Sequence, residues 1–245
     1  MRLLTVGTGS AGNCYVLSSD DNENIILDAG FPVRKVLPAI RDFRKISGCL
    51  ITHEHADHAR AWEDWCMRGV PVFMSRGTFQ AVGNSRALNC FSPTVVRAQK
   101  RFRAGTFMVM PFEVQHDAAE PLGFLIQHIP TGETILYATD TYYLRYTFPG
   151  VNYWIMECNY CEDLIDSETN AVLRNRLKES HMSLRRLEDA LKANDLTETA
   201  KIVLVHLSDS RSDERRMVQE IQDLTGIDTV AADAGKLIEL DLTPF

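Results

Sequence analysis

The stretch His53-Glu54-His55-Ala56-Asp57-His58, entered from the apolar run Cys49-Leu50-Ile51-Thr52, decides how this chain is read. A β-strand that runs into such a cluster brings several metal-binding side chains to one sheet edge. In an extended segment, residues two apart point the same way. His53 and His55 can therefore share one cation, while Glu54 and Ala56 face away. Asp57 and His58 follow where the chain turns, and their changed direction suits a second ion. A catalytic zinc ion takes about three protein ligands and keeps a position open for water. The donors here, with further histidines and aspartates downstream, overfill one open site and suit two. His-rich tracts also bind metal adventitiously, but three histidines and an aspartate at this spacing, right after a buried-strand pattern, are hard to explain that way.

The rest of the composition is ordinary. A chain of 245 residues with 45% hydrophobic and 24% charged residues can bury a real core, and no linker or low-complexity segment divides it, so one domain over 1–245 is expected. No apolar run approaches the ~18 residues of a membrane span. The run Met1–Gly7 is too short for a signal peptide, so a cytoplasmic protein is expected. Cys14, Cys49, Cys66, Cys90, Cys158 and Cys161 form no disulfide framework and read as free thiols. Cys158 and Cys161 are a lone C-x-x-C, and a structural zinc site would need a second pair. The net charge of −7 argues against a broad grip on nucleic acid but leaves room for a local basic track.

Short apolar runs separated by turn residues dominate the first half. They predict strands at residues 2–6, Cys14–Ser18, Asn24–Asp28, Cys49–Thr52, Val70–Met74, Thr94–Val96, Thr106–Phe112, Leu122–His128 and Glu133–Thr139, the last two joined by a hairpin turn at Ile129-Pro130-Thr131-Gly132. Helices are predicted from Pro32 to Arg41, despite Pro38, and near Ala59–Arg68 and Gly77–Val82. Later the chain alternates: strands Tyr153–Met156, Lys201–Val205, Thr229–Ala232 and Lys236–Leu240, and helices near Ala171–Lys178, Leu184–Ala193 and Arg211–Leu224. This α/β order suits two mixed sheets packed face to face with helices on the outer faces.

Further chemistry-bearing residues stand at or near the ends of these runs: His116 with Asp117 beside it, Asp140, His181 between two helices, and His206. Strand ends in α/β proteins converge on one edge, where sites are commonly built. The set H-x-H-x-D-H, then H, D and H, resembles that of the metallo-β-lactamase-fold hydrolases, and the resemblance runs the length of the chain. Gly9-Ser10-Ala11-Gly12-Asn13, Leu27-Asp28-Ala29-Gly30, His116-Asp117-Ala118-Ala119-Glu120-Pro121, Thr139-Asp140-Thr141, Glu157-Cys158-Asn159, Ser180-His181-Met182-Ser183 and His206-Leu207-Ser208 look like the YycJ/WalJ-type branch, described as metal-dependent DNA exonucleases near tRNase Z.

The resemblance implies an αββα sandwich and two divalent metal ions, Zn2+ or Mn2+. It gives His53, His55 and His116 to the first ion and Asp57, His58 and His206 to the second, with Asp140 bridging. Asp57 is counted with the catalytic groups as well. His181 matches the extra histidine taken in the phosphodiesterase branches as proton donor to the leaving group, Glu157 would hold its ring, and Asp28 would be a structural aspartate near the site. Two cations ~3.5–4 Å apart lower the pKa of a shared water and stabilise both oxygens of an in-line displacement. Imidazole and carboxylate donors suit zinc, manganese or iron, so the metal stays open. A positioned acid contributes ~10²–10⁴-fold when the leaving group is a poor alkoxide.

The expected reaction is hydrolysis of nucleic-acid phosphodiesters by a metal-activated hydroxide, DNA from an end before RNA. The alternative is a small-molecule hydrolase on the same centre, acting on a cyclic nucleotide, a lactone or a thioester. The span from Asp140 to His206 leaves no room for a β-CASP cassette, the tRNA-gripping arm of tRNase Z is missing, and His55 stands where flavodiiron relatives place a glutamate. Candidate phosphate contacts are Arg97, Lys100, Arg101 and Arg103; Arg174, Arg176, Lys178, Arg185 and Arg186; and Arg211, Arg215 and Arg216, each with a plain reading as a solvated face. Ser208 and Ser210 could cap the following helix, and Tyr142, Tyr143, Tyr146 and Tyr160 could stack bases or fill the core. No membrane partner is expected. Oligomeric state is open, and a homodimer is compatible with the sequence.

Overall fold

Along Arg2–Gly7 every second residue is buried, Leu3 and Thr5 fully, as a strand with one face on a core requires. The structure, a computed structural model, describes residues 1–83, 92–165 and 179–242, and in it strands nearer the middle of a sheet, such as Asn24–Leu27 and Tyr153–Glu157, are buried on both faces. The strands are β1 (Arg2–Gly7), β2 (Cys14–Ser18), β3 (Asn24–Leu27), β4 (Ile46–Leu50), β5 (Val72–Met74), β6 (Thr94–Val95) and β7 (Phe102–Ala104). They continue with β8 (Phe107–Glu113), β9 (Leu122–His128), β10 (Thr134–Ala138), β11 (Tyr153–Glu157), β12 (Lys201–Val205), β13 (Asp228–Ala231) and β14 (Leu237–Glu239).

Two seven-stranded sheets result, ordered β14-β1-β2-β3-β4-β5-β6 and β13-β12-β11-β10-β9-β8-β7. Both carry one pattern. From β14 to β3 and from β7 to β10 the pairings are antiparallel; from β3 to β6 and from β10 to β13 they are parallel. The strand architecture thus repeats, although no sequence repeat announces it.

The facing sides of the sheets share one apolar layer that includes Leu17, Leu27, Phe124, Tyr137, Ile155 and Val203. Outside the first sheet, Val33, Val36, Trp62 and Trp65 pack over Val16, Ile26 and Cys49. Outside the second, Leu187, Leu191, Met217 and Ile221 pack over Trp154, Met156 and Leu204. This is the expected αββα sandwich of two mixed sheets with helices on the outer faces. No helix among the described residues is long and apolar enough to cross a membrane.

Local departures from the sequence reading have identifiable causes. The helix read from Pro32 to Arg41 is α-helical only over Val33–Val36 and tightens into a 3-10 turn at Leu37–Ala39, because Pro38 has no N–H to continue the ladder. The strand read as Cys49–Thr52 is Ile46–Leu50: the Thr52 N–H donates to the Asp28 side chain at 2.8 Å instead of a neighbouring strand. The helix read near Ala59–Arg68 is two short helices, Ala56–Ala59 and Trp62–Met67, broken where the Ala61 N–H turns to the Ala29 carbonyl at 2.8 Å. Strand β7 was not foreseen, since the alternation of Phe102 and Ala104 with Arg101 and Arg103 is too short to mark a strand in a basic segment. The last helix is Glu214–Thr225, capped by Asp213 and not by Ser208 or Ser210. The helix expected near Ala171–Lys178 lies outside the described residues, as do Arg174, Arg176, Lys178 and Cys90.

Candidate metal centre

The C-terminal ends of β4, β8, β10 and β12 point to one edge of the sandwich and bring His53–His58, His116, Asp140 and His206 together there. Asp28, Asp140 and His206, each just beyond a strand end, have φ of 57°, 47° and 56°. Residues with a Cβ rarely adopt this left-handed region, and it persists where surrounding contacts over-determine it. His53 and His55 do project alike: Nε2 of His53 lies 3.1 Å from Nδ1 of His55. Glu54 faces the other way, its carboxylate accepting the Ala119 N–H at 2.7 Å.

Ligand atoms of His53, His55, His116 and Asp140 lie within 4.8 Å of one another. His116 Nε2 is 3.2 Å from His55 Nδ1, and Asp140 Oδ2 is 3.5 Å from His53 Nε2 and 3.6 Å from His116 Nε2. Donors set tetrahedrally at zinc–nitrogen distances would be about 3.3 Å apart. A second group, Asp57, His58, Asp140 and His206, meets the same limit. There His58 Nε2 is 3.1 Å from Asp140 Oδ2 and 3.5 Å from Asp57 Oδ2, and His206 Nε2 is 3.9 Å from Asp57 Oδ2. Nε2 of His206 is buried without a hydrogen-bond partner, which a native interior avoids unless something else meets that nitrogen. Spacing, donor type and this orphaned nitrogen fit a divalent metal, and Asp140 belongs to both groups.

Surrounding contacts hold each ring. His58 Nδ1 faces Asp28 Oδ2 at 2.8 Å, and Asp28 also accepts from Thr52 and, at 2.7 Å, from the Tyr137 hydroxyl of the opposite sheet. His116 Nδ1 meets the Ser180 carbonyl at 2.8 Å. Such outer partners fix tautomer and ring direction in metal sites. Burial, with the other imidazoles, holds His53 well below the usual histidine range and also lowers His116, so both rings are neutral. For His58 and His206 burial pulls the same way, but Asp140 and the other facing carboxylates overcome it and raise both well above the ordinary value. Burial would raise Asp57 and Asp140, yet their imidazole neighbours outweigh it and keep both ionised. The cluster is a buried hollow in which carboxylates and imidazoles face one another.

A third set adjoins it: Asp140, Glu157, His181 and His206. His181 Nδ1 lies 2.7 Å from Glu157 Oε1, and that oxygen is 2.9 Å from His206 Nδ1. The other oxygen accepts the backbone N–H groups of Thr141 and Met182 at 2.9 and 3.1 Å. Burial lowers the His181 pKa, but the Glu157 charge and hydrogen bond more than offset it and leave it above the ordinary value. Glu157 thus lies against the His181 ring.

Residues 23–207 match the family model described as the beta-lactamase superfamily domain. The chain belongs to that superfamily. Within it, the chain is 24% identical to the exodeoxyribonuclease WalJ of Streptococcus pneumoniae, across 94% of this chain and 88% of that protein. It is 26% identical to the exodeoxyribonuclease YycJ of Bacillus anthracis, across 67% of this chain and 65% of that one. Among solved structures, the metallo-beta-lactamase fold protein YhfI of Bacillus subtilis superposes with a TM-score of 0.74 at 16% identity, covering 97% of this chain and 98% of that one.

The secondary candidates scatter by comparison. Arg216 is taken up by Glu220 and Asp163 at 2.7 and 2.6 Å. Tyr160 is buried, Tyr143 is exposed, and Arg186 lies over the Tyr142 ring at 5.3 Å. His128 is structural, bonded to Thr131 and packed on Phe107. Cys158 and Cys161 are buried free thiols, and burial pushes both up. Sequence reasoning assigned nothing to Asn13, whose amide nitrogen lies 3.0 Å from His58 Nε2, or to Tyr137. Asn13 sits in the quoted glycine-rich loop, which was a usable signal. Tyr137 looked like any strand aromatic.

Proposed function

We propose that this chain is a metal-dependent hydrolase of nucleic-acid phosphodiesters, acting on DNA from an end, with two divalent cations, zinc or manganese, at the His/Asp cluster. The observation that carries the reading is His181: an imidazole pinned through Nδ1 by a buried carboxylate that raises its pKa, beside a hollow of metal-binding donors. His53, His55, His116 and Asp140 would hold one ion, and Asp57, His58, His206 and Asp140 the other. Cations held there would supply positive charge for phosphoryl oxygens and lower the pKa of water.

The protein's own groups account for the remainder. Glu157 orients His181 and keeps its proton in place; Nε2, the nitrogen not engaged by Glu157, delivers that proton to the departing alkoxide, the step at which a phosphodiester most needs an acid. Asp28 and Tyr137 hold His58 from behind, and the Ser180 carbonyl holds His116. The names of the WalJ and YycJ relatives support nucleic acid as substrate. The net charge of −7 and the neutralised Arg216 favour, as a second reading, a small phosphodiester on the same centre.

A time course on end-labelled single- and double-stranded DNA and RNA, with zinc or manganese added, tests this. Progressive shortening from one end is the expected result, and His181→Ala should lower the rate about 10²–10⁴-fold with bound metal unchanged. Intact polymers alongside turnover of a cyclic nucleotide would favour the second reading, and turnover of a lactone or thioester alone would defeat both.

A further inference from the structure

The outer face of the second sheet is not covered uniformly. Over β11–β13 it is roofed by helices, but over β8–β10 a cavity of 510 Å³ opens. Its floor is Met110 and Phe112 of β8 with Leu125 of β9, one wall is Tyr146 and Phe148, and Arg101 stands at its edge. The volume falls within the usual range of small-ligand pockets, which combine apolar linings with a few polar groups. Phe112 packs on Phe148 with ring centres 4.7 Å apart and faces Tyr146 edge-on at 6.5 Å. The Tyr146 hydroxyl is held by Glu113 and lies 3.4 Å from the Gln99 amide, so its ring is fixed in the wall.

Beside this cavity runs Arg97-Ala98-Gln99-Lys100-Arg101-Phe102-Arg103, a cationic segment without an acid in a chain whose net charge is −7. Arg97, Lys100 and Arg101 are exposed and make no ion pair among the described residues. The segment is anchored, since the Gln99 N–H donates to the Pro111 carbonyl of β8 at 2.7 Å. The cavity is also joined to the metal centre by the chain itself. Phe112 is four residues before His116, a span of at most about 14 Å. The loop from Asp140 to Tyr146 forms the other connection, tied across by the Tyr142 N–H to the Gln115 carbonyl at 3.1 Å.

We infer that this cavity is a subsite for one nucleotide of a single nucleic-acid strand whose cleaved phosphate lies at the metal centre. Lys100 and Arg101 would take flanking phosphates and the Tyr146–Phe148 wall would take the base face. Aromatic platforms beside a basic track are the general means of holding single strands, and the local positive charge complements a polyanion on a chain whose net charge is −7. The inference rests on the phosphodiesterase reading above and extends it to a place away from the reacting bond.

The test uses the full-length metal-loaded protein, fluorescein-labelled single strands of 3 and 12 nucleotides, and bis-p-nitrophenyl phosphate as a diester too small to reach the cavity. The variants are Lys100→Ala with Arg101→Ala, Tyr146→Ala and Tyr146→Phe. The paired cation variant should weaken 12-mer binding about tenfold and flatten the slope of log K against log salt by about 1.4, the value for two phosphate contacts on a single strand. Tyr146→Ala should weaken binding of both strands to a similar degree and Tyr146→Phe should not, while small-diester turnover stays as in wild type. The surface cation pair does not threaten folding, so 12-mer binding and salt slope unchanged in that variant overturn the subsite. Wild type that cleaves the small diester but binds no strand also overturns it and leaves the phosphodiester chemistry standing. Wild type that cleaves no diester removes the functional reading, and the subsite with it.

Discussion

Oε1 of Glu157 stands 2.7 Å from Nδ1 of His181, a fully buried carboxylate under an imidazole whose side chain is 21% exposed. The contact orients the ring and favours its protonated form, because a carboxylate that receives the Nδ1 proton stabilises imidazolium over imidazole. Four polar partners surround the buried charge of Glu157, namely His181, His206 and the Thr141 and Met182 N–H groups.

Replacing Glu157 with Gln keeps an acceptor and removes the charge. The His181 pKa is raised in the folded protein, so its proton is fully present below that pKa and lost as pH rises through it. A proton donor of this kind gives activity that falls on the alkaline side. In Glu157→Gln that alkaline limb should move to lower pH, read at metal concentrations that saturate the centre because Glu157 also faces His206. A pH–rate profile on bis-p-nitrophenyl phosphate, paired with elemental analysis, checks this, and an unmoved limb would count against the proton-donor role.

Tyr137→Phe removes the hydroxyl that reaches Asp28 across the two sheets at 2.7 Å. Asp28 then holds His58 with one donor fewer in a fully buried place. A loss of about 1–3 kcal/mol in stability follows from the unpaired buried group, together with about tenfold weaker metal binding, as for other partners behind a ligand. Denaturant unfolding and competition with a metal-responsive dye measure the two effects; wild-type values in both would remove Tyr137 from the site.

Gly30 lies where the glycine-rich loop meets the ligand turn. A Cβ there would stand 1.9 Å from the Asp57 carbonyl oxygen and 2.6 Å from the Asn13 nitrogen, both backbone atoms. Those atoms belong to hydrogen-bonded backbone, including the Asn13 N–H to Asp57 carbonyl bond at 2.7 Å. Gly30→Ala should therefore displace the turn bearing Asp57 and His58, at a cost of about 1–3 kcal/mol and with loss of metal. Thermal unfolding and metal content like those of wild type would show that the loop yields.

Stripping metal with a chelator should lower the thermal midpoint and restoring zinc or manganese should recover it, because a cation that binds only the folded chain stabilises it by mass action. The ratio of free metal to its dissociation constant gives the effect its size. Scanning calorimetry across a metal titration is the measurement. A midpoint insensitive to both treatments would mean that the donor hollow binds no ion tightly.

Much of the site was legible because ligand chemistry is written in residue type and short spacing. The His53/His55 pairing followed from strand geometry, and the ends of apolar runs at His116, Asp140 and His206 marked the residues that the fold gathers beside them. Helix and strand limits were less legible where one contact across the fold decides them: Thr52 leaves its strand for Asp28, and Ala61 breaks a helix for Ala29. Asn13 and Tyr137 carry no local pattern that separates a site partner from a core polar group.

By itself the sequence determined the donor residue types and the α/β order of the elements, since these depend on side-chain identity and on apolar periodicity, which are local; the grouping of the donors and the place of His181 beside them were implied by the family resemblance. Only the tertiary structure decided that Glu157 serves His181 and His206 at once, that Tyr137 reaches Asp28 from the facing sheet, and that Arg101 and Tyr146 border one cavity. Those relations join residues far apart in the chain, and the distance between such residues is set by how two sheets pack, a quantity that no window of sequence contains.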